Sequence, residues 1–572
     1  MVAFLPPTLM KLFSTLVALA FYDSVIATFR QNETSFDYII VGSGPAGIVV
    51  ADRLSEAGKK VLLIERGGPS IAATGGTDTP PWPYPTNLTR FDIPGAYESF
   101  YNLTAGIPYF WCRDLPAPGG CIVGGGAAIN SMLYWYPQDE DFAISNGWPV
   151  GWQDVAPYVS KLHARLPSTD IPSADGKRYL TQVYDVFKGL LDAQGYRPST
   201  INNQRNKKDK IYGYSAFSSQ QGIRTGPMGT YLQTAQARPN FELLMYTKVL
   251  AVARNGSTVT GVYTNNTAVG SNGLIHINPN GGRVILSAGT FGSARLLFQS
   301  GIGPADALAN VEATPDSVPY LPPKNTYLNL PVGYHIQDNP SISLIFSHPS
   351  VNAYQNFRPV WFNPNLSDAK QYVESQSGVL AQTSPRINWW KKYVGSDSKV
   401  RWMQGTASPG NPAGCCDPGP GVNNETLFWV TLYLGRGISS TGRASNDTRV
   451  TLVTTPWLTN PVDRQVLIAA TKDVISTYRQ VPDLELRYPN LNNTTIEELV
   501  SNTVGGSNHW IGSTRTGANS STSIVDTNLK VWGTDNLFVV DAGVFPGMPV
   551  GNPTASIMVM AEMAATKLLR AV

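Results

Sequence analysis

The stretch FDYIIVGSGPAGIVVADRLSEAGKKVLLIE, residues 36–65, decides the fold. The β-rich apolar run Phe36–Val41 leads into a glycine turn, GSGPAG, at 42–47. Ile48–Ala57 follows with apolar residues at helical spacing, and Val61–Ile64 is a second continuous apolar run of the kind that forms buried strands. This order of strand, turn, helix and strand predicts one parallel βαβ unit.

The glycine spacing in this unit predicts a cofactor site. Gly42, Gly44 and Gly47 form G-x-G-x-x-G, which lets the backbone approach a pyrophosphate at the N-terminus of the helix. Glu65 closes the second strand and can accept hydrogen bonds from the hydroxyls of an adenosine ribose. The motif alone does not distinguish FAD from NAD. Its N-terminal position, followed by Glu-Arg-Gly-Gly, favours FAD.

Composition narrows the class of protein. The chain has 572 residues, 42% of them hydrophobic, which suits a large globular core divided between two domains. Charged residues make up 15%, the net charge is +3, and no basic stripe is present, so we expect no nucleic-acid partner. The 53 glycines and 43 prolines imply long structured loops, and such loops often carry binding sites.

The N-terminus predicts export. Residues 1–20 resemble a signal peptide, in which Lys11 precedes the apolar run Leu12–Ala20 and the run ends in Ala-Leu-Ala. A buried N-terminal helix is the alternative, and no segment is long and apolar enough to span a membrane. Sequons for N-glycosylation support a secreted, extracellular glycoprotein: Asn32, Asn87, Asn102, Asn255, Asn265, Asn365, Asn424, Asn446, Asn492, Asn493 and Asn519.

Four cysteines suit an oxidising compartment. Cys112 and Cys121 flank a Pro/Gly-rich turn and could close a small loop, whereas the adjacent Cys415 and Cys416 could pair only as a vicinal disulfide. Four cysteines allow three connectivities, and the sequence does not choose among them. No histidine is close in sequence to either pair, so we expect no metal site.

Further along the chain, two short motifs near the C-terminus carry chemistry: Ser507-Asn508-His509-Trp510 and Gly551-Asn552-Pro553. Oxidation of an alcohol needs a base for the hydroxyl proton, and histidine titrates in the right range. An amide beside it can hold the substrate oxygen. The other four histidines are interpreted as surface or structural residues: His163, His276, His335 and His348.

Together with the glycine runs at 42–47 and 119–130, these motifs resemble the glucose-methanol-choline (GMC) oxidoreductases, and within them the flavodehydrogenase domain of the cellobiose dehydrogenases. The likeness covers about residues 36–572 and is carried by the following stretches: 91–95 (FDIPG), 134–137 (YWYP), 213–217 (GYSAF), 230–241 (TYLQTAQARPNF), 507–510 and 539–553. It implies an α/β Rossmann-like FAD-binding domain and a substrate-binding domain with an antiparallel sheet. We assign 36–90, 110–145, 230–310 and 500–572 to the first, and 146–229 and 311–499 to the second.

The resemblance also implies the site residues. Positions that match the FAD contacts are Gly42, Gly44, Gly47, Glu65, Gly124, Gly125, Asn130, Val249 and Asp541. His509 and Asn552 match the catalytic pair, in which the histidine takes the proton of an anomeric hydroxyl while hydride passes from C1 to flavin N5. The expected product is a sugar lactone.

Substrate positions match only in part. Glu98, Tyr433, Ser507 and Asn508 match disaccharide contacts, while Tyr101 stands where phenylalanine is expected. Ser408 stands where the cellobiose-oxidising members carry arginine, and Asn339 where many relatives carry histidine. One hydroxyl does not replace the five donors of a guanidinium, so we expect weaker binding of cellobiose or a preference for another sugar.

The leading hypothesis is an FAD-dependent oxidoreductase for the anomeric C1 hydroxyl of cellobiose-like oligosaccharides. We expect no attached haem domain, because the βαβ unit begins shortly after the predicted cleavage site. Electrons would then pass to a quinone, a metal complex, a separate protein or O₂. The alternative is a GMC oxidase or dehydrogenase for another sugar or an aryl alcohol. A flavin-bearing binding protein without turnover is disfavoured by the intact His509 and Asn552.

Overall fold

The computed structural model describes residues 35–103, 106–411, 416–446 and 449–570. The predicted signal peptide at 1–20, the sequon residue Asn32 and Cys415 lie outside the described residues.

The described chain contains both strands and helices. The strands are β1 Tyr38–Val41, β2 Val61–Ile64, β3 Arg197–Pro198, β4 Ile211–Tyr214, β5 Ser219–Gln220, β6 Ile223–Arg224, β7 Phe241–Leu244, β8 Val249–Asn255, β9 Thr258–Thr264, β10 Leu274–His276, β11 Arg283–Leu286, β12 Pro340–Ser347, β13 Ile387–Val394, β14 Val400–Pro409, β15 Leu427–Leu434, β16 Arg443–Asn446, β17 Val450–Thr454, β18 Glu485–Tyr488, β19 Gly505–Gly506 and β20 Leu537–Val539. The helices are α1 Pro45–Glu56, α2 Gly126–Ile129, α3 Ala156–Arg165, α4 Gln182–Ala193, α5 Tyr231–Gln236, α6 Gly289–Gln299, α7 Ala305–Glu312, α8 Leu366–Ser375, α9 Pro461–Ser476, α10 Ile496–Thr503 and α11 Thr554–Arg570.

A five-stranded parallel sheet holds the predicted βαβ unit. Its strand order is β20-β11-β1-β2-β7, and every neighbouring pair is parallel. β1 and β2 are buried at every position, as expected for strands covered on both faces. Helix α1 connects them, and α11 packs against α1. The predicted unit is confirmed, although its first strand begins at Tyr38 rather than Phe36.

The second large sheet is antiparallel. Its order is β18-β12-β15-β14-β13-β4-β3, with β19 paired to β12, and only β3 and β4 run parallel. Side chains alternate between its faces, as β15 shows: Phe428, Val430 and Leu432 join the hydrophobic core, whereas Thr431 and Tyr433 face a cavity. Helices α4 and α9 pack against this sheet.

The loop region between the sheets contains one disulfide, Cys112–Cys121, whose Cα atoms are 5.1 Å apart. This is the pairing across the Pro/Gly-rich turn, one of the connectivities that the sequence left open. Within the described ranges, no helix combines the length and the apolar character needed to cross a bilayer.

Candidate active site

A cavity of about 640 Å³ lies where the carboxyl ends of the parallel strands meet one face of the antiparallel sheet. Position at the strand ends is typical of ligand sites in open parallel sheets. The cavity brings together most of the residues predicted for the site: Gly42, Gly44, Glu65, Gly125, Asn130, Val249 and Asp541 from the cofactor set, and Tyr101, Tyr433, Ser507, Asn508, His509 and Asn552 from the substrate and catalytic sets.

Four predicted residues do not line the cavity, namely Gly47, Gly124, Glu98 and Ser408. The two glycines shape its wall instead. A Cβ at Gly47 would lie 2.0 Å from the carbonyl oxygen of Gly42, so only glycine lets helix α1 pack against the turn. Gly124 has φ +96°, and a Cβ there would lie 2.4 Å from Met228 Sδ.

The turn before α1 fits the pyrophosphate and ribose of a dinucleotide. No side chain caps the N-terminus of α1, where the first N–H groups of a helix lack intrahelical partners. A Cβ at Gly44 would meet only Ser287 O, at 3.8 Å, so the space beside this turn is open. Glu65 Oε2 accepts hydrogen bonds from the Ser43 N–H (3.0 Å) and hydroxyl (2.8 Å), and Oε1 accepts one from Gly67 N–H (2.8 Å). These bonds fix an acidic group beside the phosphate-binding turn.

Asn130 and Asp541 hold the opposite part of the wall. Asn130 Oδ1 accepts hydrogen bonds from Met132 N–H (3.1 Å) and Arg224 Nη1 (2.9 Å). Asp541 Oδ2 accepts from Gly289 N–H (3.0 Å) and Ser293 Oγ (2.5 Å), which ties the end of β20 to the start of α6. Burial raises the pKa of Asp541 to about 6. Both side chains position the backbone around the cavity.

The predicted catalytic pair is in contact. His509 Nε2 and Asn552 Nδ2 are 3.0 Å apart. Asn552 Oδ1 accepts hydrogen bonds from Trp135 Nε1 (3.2 Å) and Gln404 Nε2 (2.9 Å). Because both of these partners are donors, they fix the amide orientation, and Asn552 Nδ2 must donate toward His509. Nε2 of the imidazole therefore carries a lone pair.

The other ring nitrogen of His509 supports the same tautomer. Asn339 Nδ2 donates to the Leu434 carbonyl (2.6 Å), which leaves Asn339 Oδ1 as the acceptor 2.8 Å from His509 Nδ1. Nδ1 accordingly carries the proton, and the lone pair of Nε2 accepts the hydrogen bond from Asn552. A chain of hydrogen bonds thus runs from the Leu434 carbonyl through Asn339, His509 and Asn552 to Gln404 and Trp135. It holds His509 at the cavity with the lone pair on Nε2.

Comparisons with known proteins agree with this geometry. The sequence pattern of GMC oxidoreductases matches residues 36–341 with its N-terminal part and 438–561 with its C-terminal part. The chain is a GMC oxidoreductase.

Relatives of this GMC oxidoreductase match it over nearly their full length. It is 27% identical to an oxygen-dependent choline dehydrogenase of Vibrio vulnificus, over 93% of this chain and 94% of the relative. It is 26% identical to a 5-(hydroxymethyl)furfural oxidase of Methylovorus, over 94% and 99%. A formate oxidase of Aspergillus oryzae shares the fold, with a TM-score of 0.73 at 17% identity over 94% and 98% of the two chains.

GMC oxidoreductases are FAD-dependent flavoproteins, so FAD is the cofactor that the turn at 42–47 and Glu65 would hold. The family assignment and the parallel and antiparallel sheets confirm the predicted fold class. Within the part of the chain that the structure describes, no group of three or more His, Cys, Asp or Glu side chains could hold a metal ion.

Burial sets the protonation of the base. It lowers the pKa of His509 to about 4, so the imidazole of this GMC oxidoreductase is neutral at neutral pH. Asp338 orders the backbone around it, because its carboxylate accepts hydrogen bonds from the N–H groups of Asn508 (3.2 Å) and His509 (2.7 Å). Burial also raises the pKa of Asp338 to about 6.

Sequence reasoning missed several of these supporting residues. Asn339 and Asp338 lie in the Gln-Asp-Asn-Pro stretch, where the replacement of histidine by asparagine was the only signal. Nothing in the sequence pointed to the contacts of Gln404 and Trp135 with Asn552, because these contacts depend on how distant strands and loops meet.

The other four histidines lie outside the cavity. His163 is exposed on α3 and pairs with the Tyr136 hydroxyl (2.9 Å), and His276 is exposed at the end of β10. His348 bonds to Ser350 Oγ (2.8 Å), and His335 is half-buried. This placement agrees with their interpretation as surface or structural residues.

Proposed function

We propose that this GMC oxidoreductase oxidises the anomeric C1 hydroxyl of cellobiose-like oligosaccharides to the lactone. The observation that carries the proposal is the polarity of the substrate wall. Hydroxyl groups line it on one face of the antiparallel sheet: Ser341 and Ser343 on β12, Thr406 on β14, and Thr431 and Tyr433 on β15. A polyhydroxylated ligand offers hydrogen-bond partners to such groups, which an apolar alcohol does not.

The catalytic pair explains the proton transfer. His509 Nε2 and Asn552 Nδ2 lie 3.0 Å apart in residues that line the cavity. An alcohol bound between them would replace their mutual hydrogen bond: the C1 hydroxyl would donate its proton to Nε2, and its oxygen would accept a hydrogen bond from Nδ2. FAD, when bound, supplies the acceptor for the hydride that leaves C1. Loss of the hydroxyl proton and of the hydride leaves a C=O bond at C1, which is the lactone.

Secretion and glycosylation belong to the same proposal. The sequon asparagines with described side chains are exposed, except the half-buried Asn102: Asn87, Asn255, Asn265, Asn365, Asn424, Asn492, Asn493 and Asn519. The disulfide Cys112–Cys121 suits an oxidising compartment. Peptide mapping of protein from the native host, before and after enzymatic deglycosylation, tests this. Unmodified asparagines throughout would contradict it.

Another sugar or an aryl alcohol is the second candidate. Aromatic side chains also line the cavity, among them Tyr97, Tyr101 and Trp510. The 5-(hydroxymethyl)furfural oxidase relative is named for an aromatic alcohol. These rings could stack on a sugar or an aryl group alike.

Anaerobic mixing with cellobiose tests the proposal directly. Rapid bleaching of the visible band of oxidised flavin would establish FAD reduction by a disaccharide, and readmission of air would show whether O₂ accepts the electrons. A band that persists with cellobiose but bleaches with an aryl alcohol would replace the first candidate by the second.

A further inference from the structure

A buried guanidinium lies directly behind the wall of the cavity. Arg224 is the second residue of β6 and is 1% exposed. Its Nε donates to the Phe91 carbonyl (2.9 Å), and its Nη1 donates to the Ala127 carbonyl (3.0 Å) and to Asn130 Oδ1 (2.9 Å). Nη2 is buried and has no hydrogen-bond partner among the described residues. Buried N–H groups without acceptors are rare and call for an explanation.

The positive charge of this guanidinium is not neutralised by a carboxylate of the described chain, since none lies within 4.0 Å of it. Asp92 attracts Arg224 from farther away, but its Oδ2 accepts hydrogen bonds from the N–H groups of Ala72 (2.9 Å) and Thr89 (2.8 Å) and from the Thr89 hydroxyl (2.8 Å). Burial lowers the pKa of Arg224 only to about 10, so the side chain is charged at neutral pH. Keeping an uncompensated charge buried is destabilising, which points to a function for it.

The charge acts on groups that line the cavity. Ala127 and Asn130, which accept hydrogen bonds from Arg224, both line it, although Arg224 itself does not. Tyr101 lines it as well. Burial raises the pKa of Tyr101, and the positive charge of Arg224 acts against that rise. Arg224 can therefore act on a bound group through its electric field, without touching that group.

The part of the wall in front of Arg224 adjoins the catalytic pair. Asn130 Nδ2 donates to Thr554 Oγ1 (3.3 Å), and Thr554 is two residues beyond Asn552. Hydride leaves an alcohol carbon whose oxygen His509 and Asn552 would hold, so the reacting ring of a bound flavin would lie beside this pair. A path of hydrogen bonds thus leads from the guanidinium, through the Asn130 side chain, to the start of α11 next to the pair.

We propose that Arg224 raises the reduction potential of the bound flavin, because its buried charge stabilises the negative charge that hydride brings to the flavin ring. Oxidation of an alcohol breaks one O–H and one C–H bond. The proton goes to His509 Nε2, and the hydride, with two electrons, goes to the flavin ring, which gains one negative charge. Since the oxidised ring is neutral, a fixed cation favours the reduced state selectively. Arg224 is thus a positioning residue, and the inference does not depend on which alcohol is oxidised.

The test measures the midpoint potential of the flavin in the purified holoenzyme against a reference dye, with an enzymatic reductant in place of an alcohol. We expect Arg224→Gln to weaken the reduced state relative to the oxidised state by about 10- to 100-fold, as the loss of one nearby charge predicts. For a two-electron couple this change lowers the midpoint potential by about 30–60 mV. Arg224→Lys keeps the charge, so its potential should stay close to that of the wild type.

Arg254→Gln is the matched control. Arg254 is also buried, at 9% exposed, and donates to the carbonyl oxygens of Ser300 (3.0 Å), Gly256 (2.7 Å) and Thr326 (2.8 Å). Neither Arg254 nor these acceptors line the cavity, so the potential of Arg254→Gln should equal that of the wild type. Melting temperature and flavin content, recorded for each variant, separate an effect of charge from misfolding.

A measurement on the wild type keeps the inference falsifiable if Arg224→Gln folds without flavin. In mildly acidic buffer free reduced flavin binds a further proton and becomes neutral, whereas a ring beside a fixed cation should stay anionic, and the two forms differ in absorbance. A neutral reduced flavin in the wild type overturns the inference. An Arg224→Gln potential equal to that of Arg254→Gln also overturns it, as does an equal fall in Arg224→Lys, which would trace the effect to packing. None of these readouts involves a sugar, so they are independent of the proposed substrate.

Discussion

The two walls of the cavity are built on different principles. The part of the cofactor wall that would hold pyrophosphate and ribose comes from one short stretch of chain: a glycine turn, the start of α1 and the end of β2, all within residues 42–65. The substrate wall consists of side chains from β12, β14 and β15, whose alignment depends on strand register, together with His509 and Asn552, which distant segments bring into contact. The spacing of neighbouring residues therefore specifies the cofactor wall, whereas the substrate wall depends on contacts between distant segments. Substitutions in the cofactor wall should lower flavin binding, and substitutions in the substrate wall should lower turnover.

The largest effect is expected at the substrate wall, from His509→Ala. Removing the base should lower the rate of flavin reduction by about 10²–10⁴-fold, since general-base catalysis contributes that much. Flavin content should stay at the wild-type level, because the glycine turn is untouched. Stopped-flow reduction and the ratio of flavin to protein absorbance measure both. Near-wild-type turnover would refute the mechanism, and loss of flavin would show that the walls are not separable.

Gly47→Ala tests the role of the cofactor wall in flavin binding. Its new Cβ would lie 2.0 Å from a backbone carbonyl, so the turn must shift, at a cost of about 1–3 kcal/mol for overpacking. We expect protein purified with much less flavin, whose remaining flavin-bound fraction turns over normally. Gly189→Ala, in the middle of α4, is the control, since its nearest atom beyond the helix is 3.8 Å away. Full flavin occupancy in Gly47→Ala would contradict a role of this close approach in flavin binding.

The two walls also differ in how far the sequence predicts them. The βαβ unit and the glycine turn followed from apolar periodicity and glycine spacing, because both are local. His509 and Asn552 were found through the family resemblance, and the structure shows that they touch. The resemblance assigned Ser408 to the substrate wall, but this side chain is fully buried and does not line the cavity. The contacts of Asn552 with Gln404 and Trp135 join distant segments, and no local pattern records them.

Asn339→Asp tests whether His509 is the base that titrates at the substrate wall. At present burial lowers the pKa of His509 to about 4, so kcat/KM should hold as the pH falls and decline only near pH 4, where the base is protonated. A carboxylate in place of the amide would stabilise the imidazolium and raise that pKa by about 1–3 units. The acid limb of the pH profile should move upward by a similar amount, with flavin content unchanged. An unmoved limb would mean that His509 is not the titrating base.

The smallest effect concerns stability, again through His509. Its folded pKa, about 4, lies below the ordinary value of 6.5, so the unfolded chain binds more protons between these two pH values. His509 alone should therefore remove up to about 3 kcal/mol of stability as the pH falls from 6.5 to 4. Asp338 and Asp541, whose pKa values burial raises to about 6, favour the folded state as the pH falls over much of the same range, and together they outweigh that loss. His509→Ala removes only the histidine contribution, so its melting temperature should shift upward relative to that of the wild type between pH 6.5 and 4, by about 2–3 °C. Parallel melting curves would refute a base kept neutral by burial, while a difference of that sign would show that the substrate wall holds its catalytic group at a cost in stability.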